Sequence, residues 1–202
     1  MILIIDNTKQ QKVKMYLPQL IKYFEDKNIP YTLINGDISG LPVLKRSLAT
    51  QSVSGIVLSG SPIMPYTHLN INDYITNLHC LKYASHIPML GICFGCQMMN
   101  VYYGGTLHDM RNVVCKKMKV KHEGTNPLDP FWSSMDGFAQ FCCRYLPDRV
   151  GDNLEVKMKV MNTYPCVITH KNKPMIGVMF HPEAMKKTHK VLDFFIVMCS
   201  QD

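Results

Sequence analysis

Four short apolar runs, ILIID at 2–6, YTLIN at 31–35, GIVLSG at 55–60 and PMLGI at 88–92, are separated by stretches whose apolar residues recur every three or four positions. Runs this short, with apolar residues on both sides, have no face to offer to water and belong inside a sheet covered above and below. The stretches between them read as helices. Leu17, Leu20, Ile21 and Phe24 share one face of a helix over 13–27, and helical patterns follow at 41–51, 71–85 and 95–103. A helix returning the chain between successive strands makes those strands parallel. The expected fold class is therefore α/β, an open, mostly parallel sheet with helices on both faces.

Beyond Gly105 the period changes. KKMKVKH at 116–122 and LEVKMKVM at 154–161 alternate residue by residue, so half-exposed strands are expected as antiparallel additions. GTNPLDPFWSSM between them reads as irregular and turn-rich. PMIGVMF at 174–180 is a further strand, and 185–199 closes as an amphipathic helix with Val191, Phe194, Phe195 and Met198 inward. With no linker or repeat, one domain over 1–202 is expected.

No apolar run approaches the roughly 20 residues that span a bilayer. The opening MILIIDN lacks a basic segment before its apolar residues and reads as a first strand, so a soluble, cytoplasmic protein is expected. Eight cysteines spread over 202 residues are expected to be reduced thiols. A formal charge of +7 raises the question of nucleic acid. The basic residues fall in short clusters, Lys116, Lys117, Lys119 and Lys121, then Lys171 and Lys173, then Lys186, Lys187 and Lys190, without interleaved stacking aromatics. Solvated faces account for them; a surface that attracts an acidic partner or an RNA is the lesser alternative.

In open parallel sheets, ligands bind outside the carboxyl ends of the strands. SGSP at 59–62, CFG at 93–95 and HPE at 181–183 are the loops expected to converge there. Cys93 and Cys96 admit several readings. A redox pair should open a helix, but Gly91 and Gly95 bracket only the first cysteine. A zinc site would need two further ligands, and the adjacent Cys142 and Cys143 are poorly spaced for one ion. Glycines two positions either side of Cys93 instead fit a sharp strand-to-helix corner, where a reacting side chain is held above crowded backbone. Cys93 is then a nucleophile, its thiolate favoured by the positive end of the following helix, and Cys96 is a packing residue. His181, ending a strand before Pro182, could take the thiol proton while Glu183 orients the ring.

GICFGCQ followed by Gly104 and Gly105, LSGSP upstream and GVMFHPE near the end together resemble the class I, or triad-type, glutamine amidotransferase family, and within it the free-standing glutaminase subunits of GMP synthase. The resemblance covers nearly the whole chain and implies a flavodoxin-like three-layer fold. It implies hydrolysis of the glutamine side-chain amide through a thioester on Cys93, with His181 as base and acid and Glu183 orienting it. The backbone N–H groups of Gly60 and Phe94 would form the oxyanion hole, and Gln97 would contact the substrate. Ammonia would pass to a synthetase on a separate chain, since 19 residues follow Glu183. The thiol mechanism calls for no metal or organic cofactor, and none is expected.

The family's Ser-His-x-Asp stretch is absent. Counting back from HPE places Cys142, Cys143, Arg144 and Tyr145 there, which removes an acidic partner for a substrate ammonium and sets Arg144 to repel it. Cys143, Arg144 and Ser61, the last standing where a second glycine is usual, are thus expected pocket residues. Two other functions remain open: an inactive binding or regulatory module of the same fold, and a thiol hydrolase acting on another γ-glutamyl or amide substrate.

Overall fold

A computed structural model describes residues 1–8, 16–50, 52–61, 70–123 and 130–200. Nine strands form one sheet: β1 (Ile2–Asp6), β2 (Tyr31–Asn35), β3 (Gly55–Leu58), β4 (Met89–Ile92), β5 (Leu107–His122), β6 (Gly137–Pro147), β7 (Leu154–Val160), β8 (Tyr164–His170) and β9 (Met175–Val178). Their order is β2-β1-β3-β4-β9-β8-β7-β5-β6. The first five in that order pair in parallel, and the remaining four are added antiparallel.

Period-two geometry divides each parallel strand between two cores. In register, Ile4 stands beside Val57, Val57 beside Leu90 and Leu90 beside Ile176. All four side chains enter one core, with Leu17, Leu20 and Phe24 of α1 (Leu17–Asp26) covering it. Their neighbours Leu3, Ile5, Ile56, Leu58 and Met89 point to the opposite face. There they meet Leu44 of α2 (Leu41–Ala49), Cys80 and Leu81 of α3 (Ile75–Tyr83), and Met98 and Met99 of α4 (Phe94–Tyr102). Each such aliphatic side chain contributes roughly 1.5–3 kcal/mol on burial, so a sheet apolar on both faces needs both helix layers. A single helical turn α5 (Pro130–Ser133) follows the first antiparallel strand, and α6 (His189–Met198) returns Val191, Leu192 and Phe195 to the first core.

Several expectations change. The β5 strand begins at Leu107, well before the alternating KKMKVKH, because its register shifts between Asp109 and Val114 and Arg111 adopts φ 66°. Two strands, β6 and β8, were absent from the expected set. Part of the 13–27 helix, Pro62, and 124–129 of the irregular stretch lie outside the described residues. The cysteines are not all reduced thiols as expected: Cys115 is disulfide-bonded to Cys142, directly opposite on β6. Among the described residues no helix is long and apolar enough to cross a membrane.

Candidate functional site

The parallel strands β1, β3, β4 and β9 end on one edge and place Thr8, Ser59, Gly60, Cys93 and His181 around one cavity of about 190 Å3. The three loops expected to converge do so. Asn7 ties two of the strand ends together: its backbone N–H donates to Ser59 Oγ at 3.0 Å, and its side-chain amide donates to the Ser59 carbonyl and exchanges hydrogen bonds with Asn77 of α3. Asn7 and Asn77 escaped the sequence reading because a polar pair 70 residues apart has no local signature.

Cys93 lies between β4 and α4 with φ 50° and ψ −99°, a conformation costing a non-glycine residue of order 1–3 kcal/mol. Its neighbours make that corner sterically possible. A Cβ on Gly91 would lie 2.7 Å from the Gly95 carbonyl carbon and 2.8 Å from Cys96 N, while one on Gly95 would strike the Leu58 carbonyl oxygen. Gly91→Ala is therefore expected to destabilise the fold by about 3 kcal/mol or more, since the obstacles are backbone atoms that cannot rotate away. A urea-unfolding midpoint equal to wild type would refute this.

His181 follows β9, and its backbone N–H donates to the Gln140 carbonyl on β6 at 2.8 Å. The 3-10 turn Pro182–Ala184 swings Glu183 back so that Oε1 lies 2.9 Å from His181 Nδ1. Both side chains are buried. Tyr16, before α1, stacks on the imidazole with centroids 4.0 Å apart. Gly60 lies between the two candidate reacting groups: a Cβ there would be 2.8 Å from His181 Cε1 and 3.6 Å from Cys93 Cβ. Cys93 Sγ donates to the Cys142 carbonyl at 3.6 Å.

Burial raises the Cys93 thiol well above its ordinary value, with nearby Cys143, Cys96 and Glu183 adding to the rise and the Phe94 backbone N–H opposing it. The start of α4 acts in the expected direction through the Phe94 N–H, but burial outweighs it and favours the thiol at rest. Burial likewise pushes Cys80 and Cys143 up to about 12. These thiols keep their protons in the folded chain while unfolded ones ionise above about pH 8.5, so their contribution is intact below that pH and lost as pH rises toward 12. Stability is expected to fall over that window by about 1.4 kcal/mol per pH unit for each such thiol. Urea midpoints taken from about pH 8 to 11 check it; a flat series would contradict it.

Gln97, Ser61, Cys143 and Arg144 all line the cavity. Gln97 Nε2 donates to the Tyr145 carbonyl at 2.8 Å, fixing α4 against β6. Arg144 does not present a bare positive charge. Its Nε and Nη2 donate to the two Asp109 oxygens at 2.7 and 2.8 Å, and this pairing holds the Asp109 carboxyl down at about 2. The repulsion expected of Arg144 is thus offset by a carboxylate from β5. Glu183 is the one carboxylate among the described residues lining the cavity. Cys96 is fully buried in α4 and, like Cys93, is a free thiol. Among the described residues no group of three or more His, Cys, Asp or Glu could hold a metal ion.

A parallel sheet flanked by helices, with a cysteine on a strained strand-to-helix corner, defines the general class. Residues 3–198 match the model of the family "Glutamine amidotransferase class-I", and the chain belongs to that family. It is similar to "GMP synthase [glutamine-hydrolyzing]" of Francisella tularensis subspecies tularensis, 28% identical over 154 residues that make up 73% of this chain and 28% of the relative. The same enzyme of subspecies novicida matches at the same identity and coverage. The match thus spans little more than a quarter of these relatives. Among solved structures, a protein described as a GMP synthase subunit from Thermoplasma acidophilum superposes with a TM-score of 0.74 at 19% identity, covering 98% of this chain and 93% of that one. A glutamine amidotransferase from Methylobacillus flagellatus gives 0.62 at 13% identity, covering 97% and 74%. These two likenesses carry the fold.

Proposed function

We propose that the chain hydrolyses the side-chain amide of glutamine and passes the ammonia to a separate synthetase of the GMP synthase type. The observation that carries this reading is Cys93, held in a strained corner on the same cavity as a histidine already bonded to a buried carboxylate. Glu183 keeps the proton on His181 Nδ1, leaving Nε2 to accept the thiol proton as sulfur attacks the amide carbon. The Gly60 and Phe94 N–H groups receive the negative charge that develops on the amide oxygen. His181 returns the proton to the departing nitrogen, ammonia leaves, and a γ-glutamyl thioester remains on Cys93. Water, deprotonated by His181, then releases glutamate and restores the thiol. Because burial keeps the resting sulfur protonated, attack and proton transfer to His181 are coupled.

Arg144 on the cavity wall, paired with Asp109 behind it, favours a second reading, a thiol hydrolase for another γ-glutamyl amide, since the wall there offers a charge-neutralised guanidinium and no acid for a substrate ammonium. Glutamate release from glutamine, measured with the protein alone and with a GMP-synthase-type synthetase, decides between them. Release in either condition supports the glutaminase. No release in both, with Cys93 still rapidly alkylated, supports the second.

A further inference from the structure

One covalent bond outside the reacting groups touches the neighbours of both. At its Cys142 end, the disulfide carries the backbone carbonyl that accepts from Cys93 Sγ at 3.6 Å. At its other end, Cys115 Sγ lies 3.8 Å from the hydroxyl of Tyr16, the ring stacked on His181. Cys115 is exposed and Cys142 partly so, whereas Cys80, Cys93, Cys96, Cys143 and Cys166 are buried. A soluble thiol can therefore reach this bond, and exposed disulfides are the ones that exchange readily.

We propose, on the reading of Cys93 and His181 as nucleophile and base, that the Cys115–Cys142 disulfide is a redox switch: the oxidised form holds the site at rest, and reduction by a dithiol activates it. A carbonyl accepting from the Cys93 thiol stabilises the protonated sulfur and disfavours the thiolate that must form during attack. The disulfide pins that carbonyl. It closes β5 onto β6 just past the register shift between Asp109 and Val114, where an interrupted ladder holds the two strands less firmly than a regular one. Cutting the bond lets the Cys142 backbone withdraw and the sulfur turn toward His181. Val113, Cys142 and Cys143 line the cavity, so the same relaxation acts on the wall that meets the substrate.

The chemistry balances with a dithiol as reductant. One of its thiolates attacks the exposed Cys115 sulfur, the S–S bond breaks, and Cys142 sulfur leaves with the electron pair and takes a proton. The second thiol of the reductant then displaces Cys115 from the mixed disulfide, giving two protein thiols and one oxidised dithiol.

The test compares the full chain, oxidised or reduced with dithiothreitol and freed of excess reductant, by two readouts: the rate of iodoacetamide labelling at Cys93, followed on the isolated peptide, and glutamate release from glutamine. Reduction is expected to raise both by about tenfold, the worth of one hydrogen bond to the thiol. Cys115→Ser is expected to sit at the reduced level whatever the treatment, and Cys142→Ser to behave alike. Equal Cys93 labelling in both redox states, a response that persists in Cys115→Ser, or no cross-linked Cys115–Cys142 peptide in the oxidised protein overturns the switch. Faster labelling on reduction with no glutamate released in either state, alone or with a GMP-synthase-type synthetase added, supports the switch and removes the glutaminase reading. Glutamate release indifferent to redox state keeps the glutaminase reading and removes the switch.

Discussion

Cys93→Ala is expected to lower glutamate release from glutamine by about ten-thousand-fold while leaving a folded protein. The expected loss is large because in the proposed mechanism the sulfur forms the covalent intermediate, and the oxyanion donors and His181 have nothing to assist once it is gone. The fold should survive because alanine keeps the buried Cβ and removes one atom. Alanine also keeps the strain at φ 50°, which gives a second, independent expectation. Cys93→Gly, equally inactive, should be more stable than Cys93→Ala by about 1 kcal/mol, since glycine adopts positive φ without a Cβ penalty. Steady-state glutamate assays and urea unfolding of the three proteins check both. Residual turnover above about one hundredth of wild type in the alanine variant would place the nucleophile elsewhere, because water activated by His181 alone has no means of reaching that rate.

The parts legible in the sequence were those fixed by short-range sterics and periodicity. Gly91, Cys93 and Gly95 announced the corner because a Cβ at either glycine meets backbone, and no packing elsewhere in the chain can relieve such a collision. The parallel strands were legible because both their faces are apolar. By contrast, β6 buries Ala139, Phe141 and Cys143 in alternation, a period-two pattern blurred by Cys142, an apolar residue at one of the positions between them. In β8, Pro165 argues against a strand by removing a backbone donor, yet it opens a buried run that continues through Ile168. The Cys115–Cys142 and Arg144–Asp109 pairs were beyond any local reading. Both depend on the register of β5 against β6, and that register shifts between Asp109 and Val114. A one-residue error there would have put each partner on the wrong face. The local motifs therefore pointed to the candidate reacting groups, and the non-local pairing decides what surrounds them.

Glu183→Gln is expected to separate activity from stability in opposite directions. Glu183 is 6% exposed, with Oε1 on His181 Nδ1 and Oε2 without a hydrogen-bond partner among the described residues. A buried oxygen left unpaired costs about 1–3 kcal/mol, and a buried charge costs more unless its partner compensates. Stability alone gives no reason to keep a carboxylate there. The proposed mechanism does, because in it the negative charge stabilises the imidazolium that forms when His181 takes the thiol proton, and a neutral amide cannot. The variant should therefore lose roughly a hundred- to ten-thousand-fold in kcat for glutamine with little change in KM. Its thermal midpoint should equal or exceed that of wild type, since the buried charge has gone while the amide oxygen can still accept from Nδ1. A clear fall in midpoint with kcat preserved would reverse the assignment, making Glu183 a structural anchor of the Pro182–Ala184 turn and leaving His181 to act without an orienting charge.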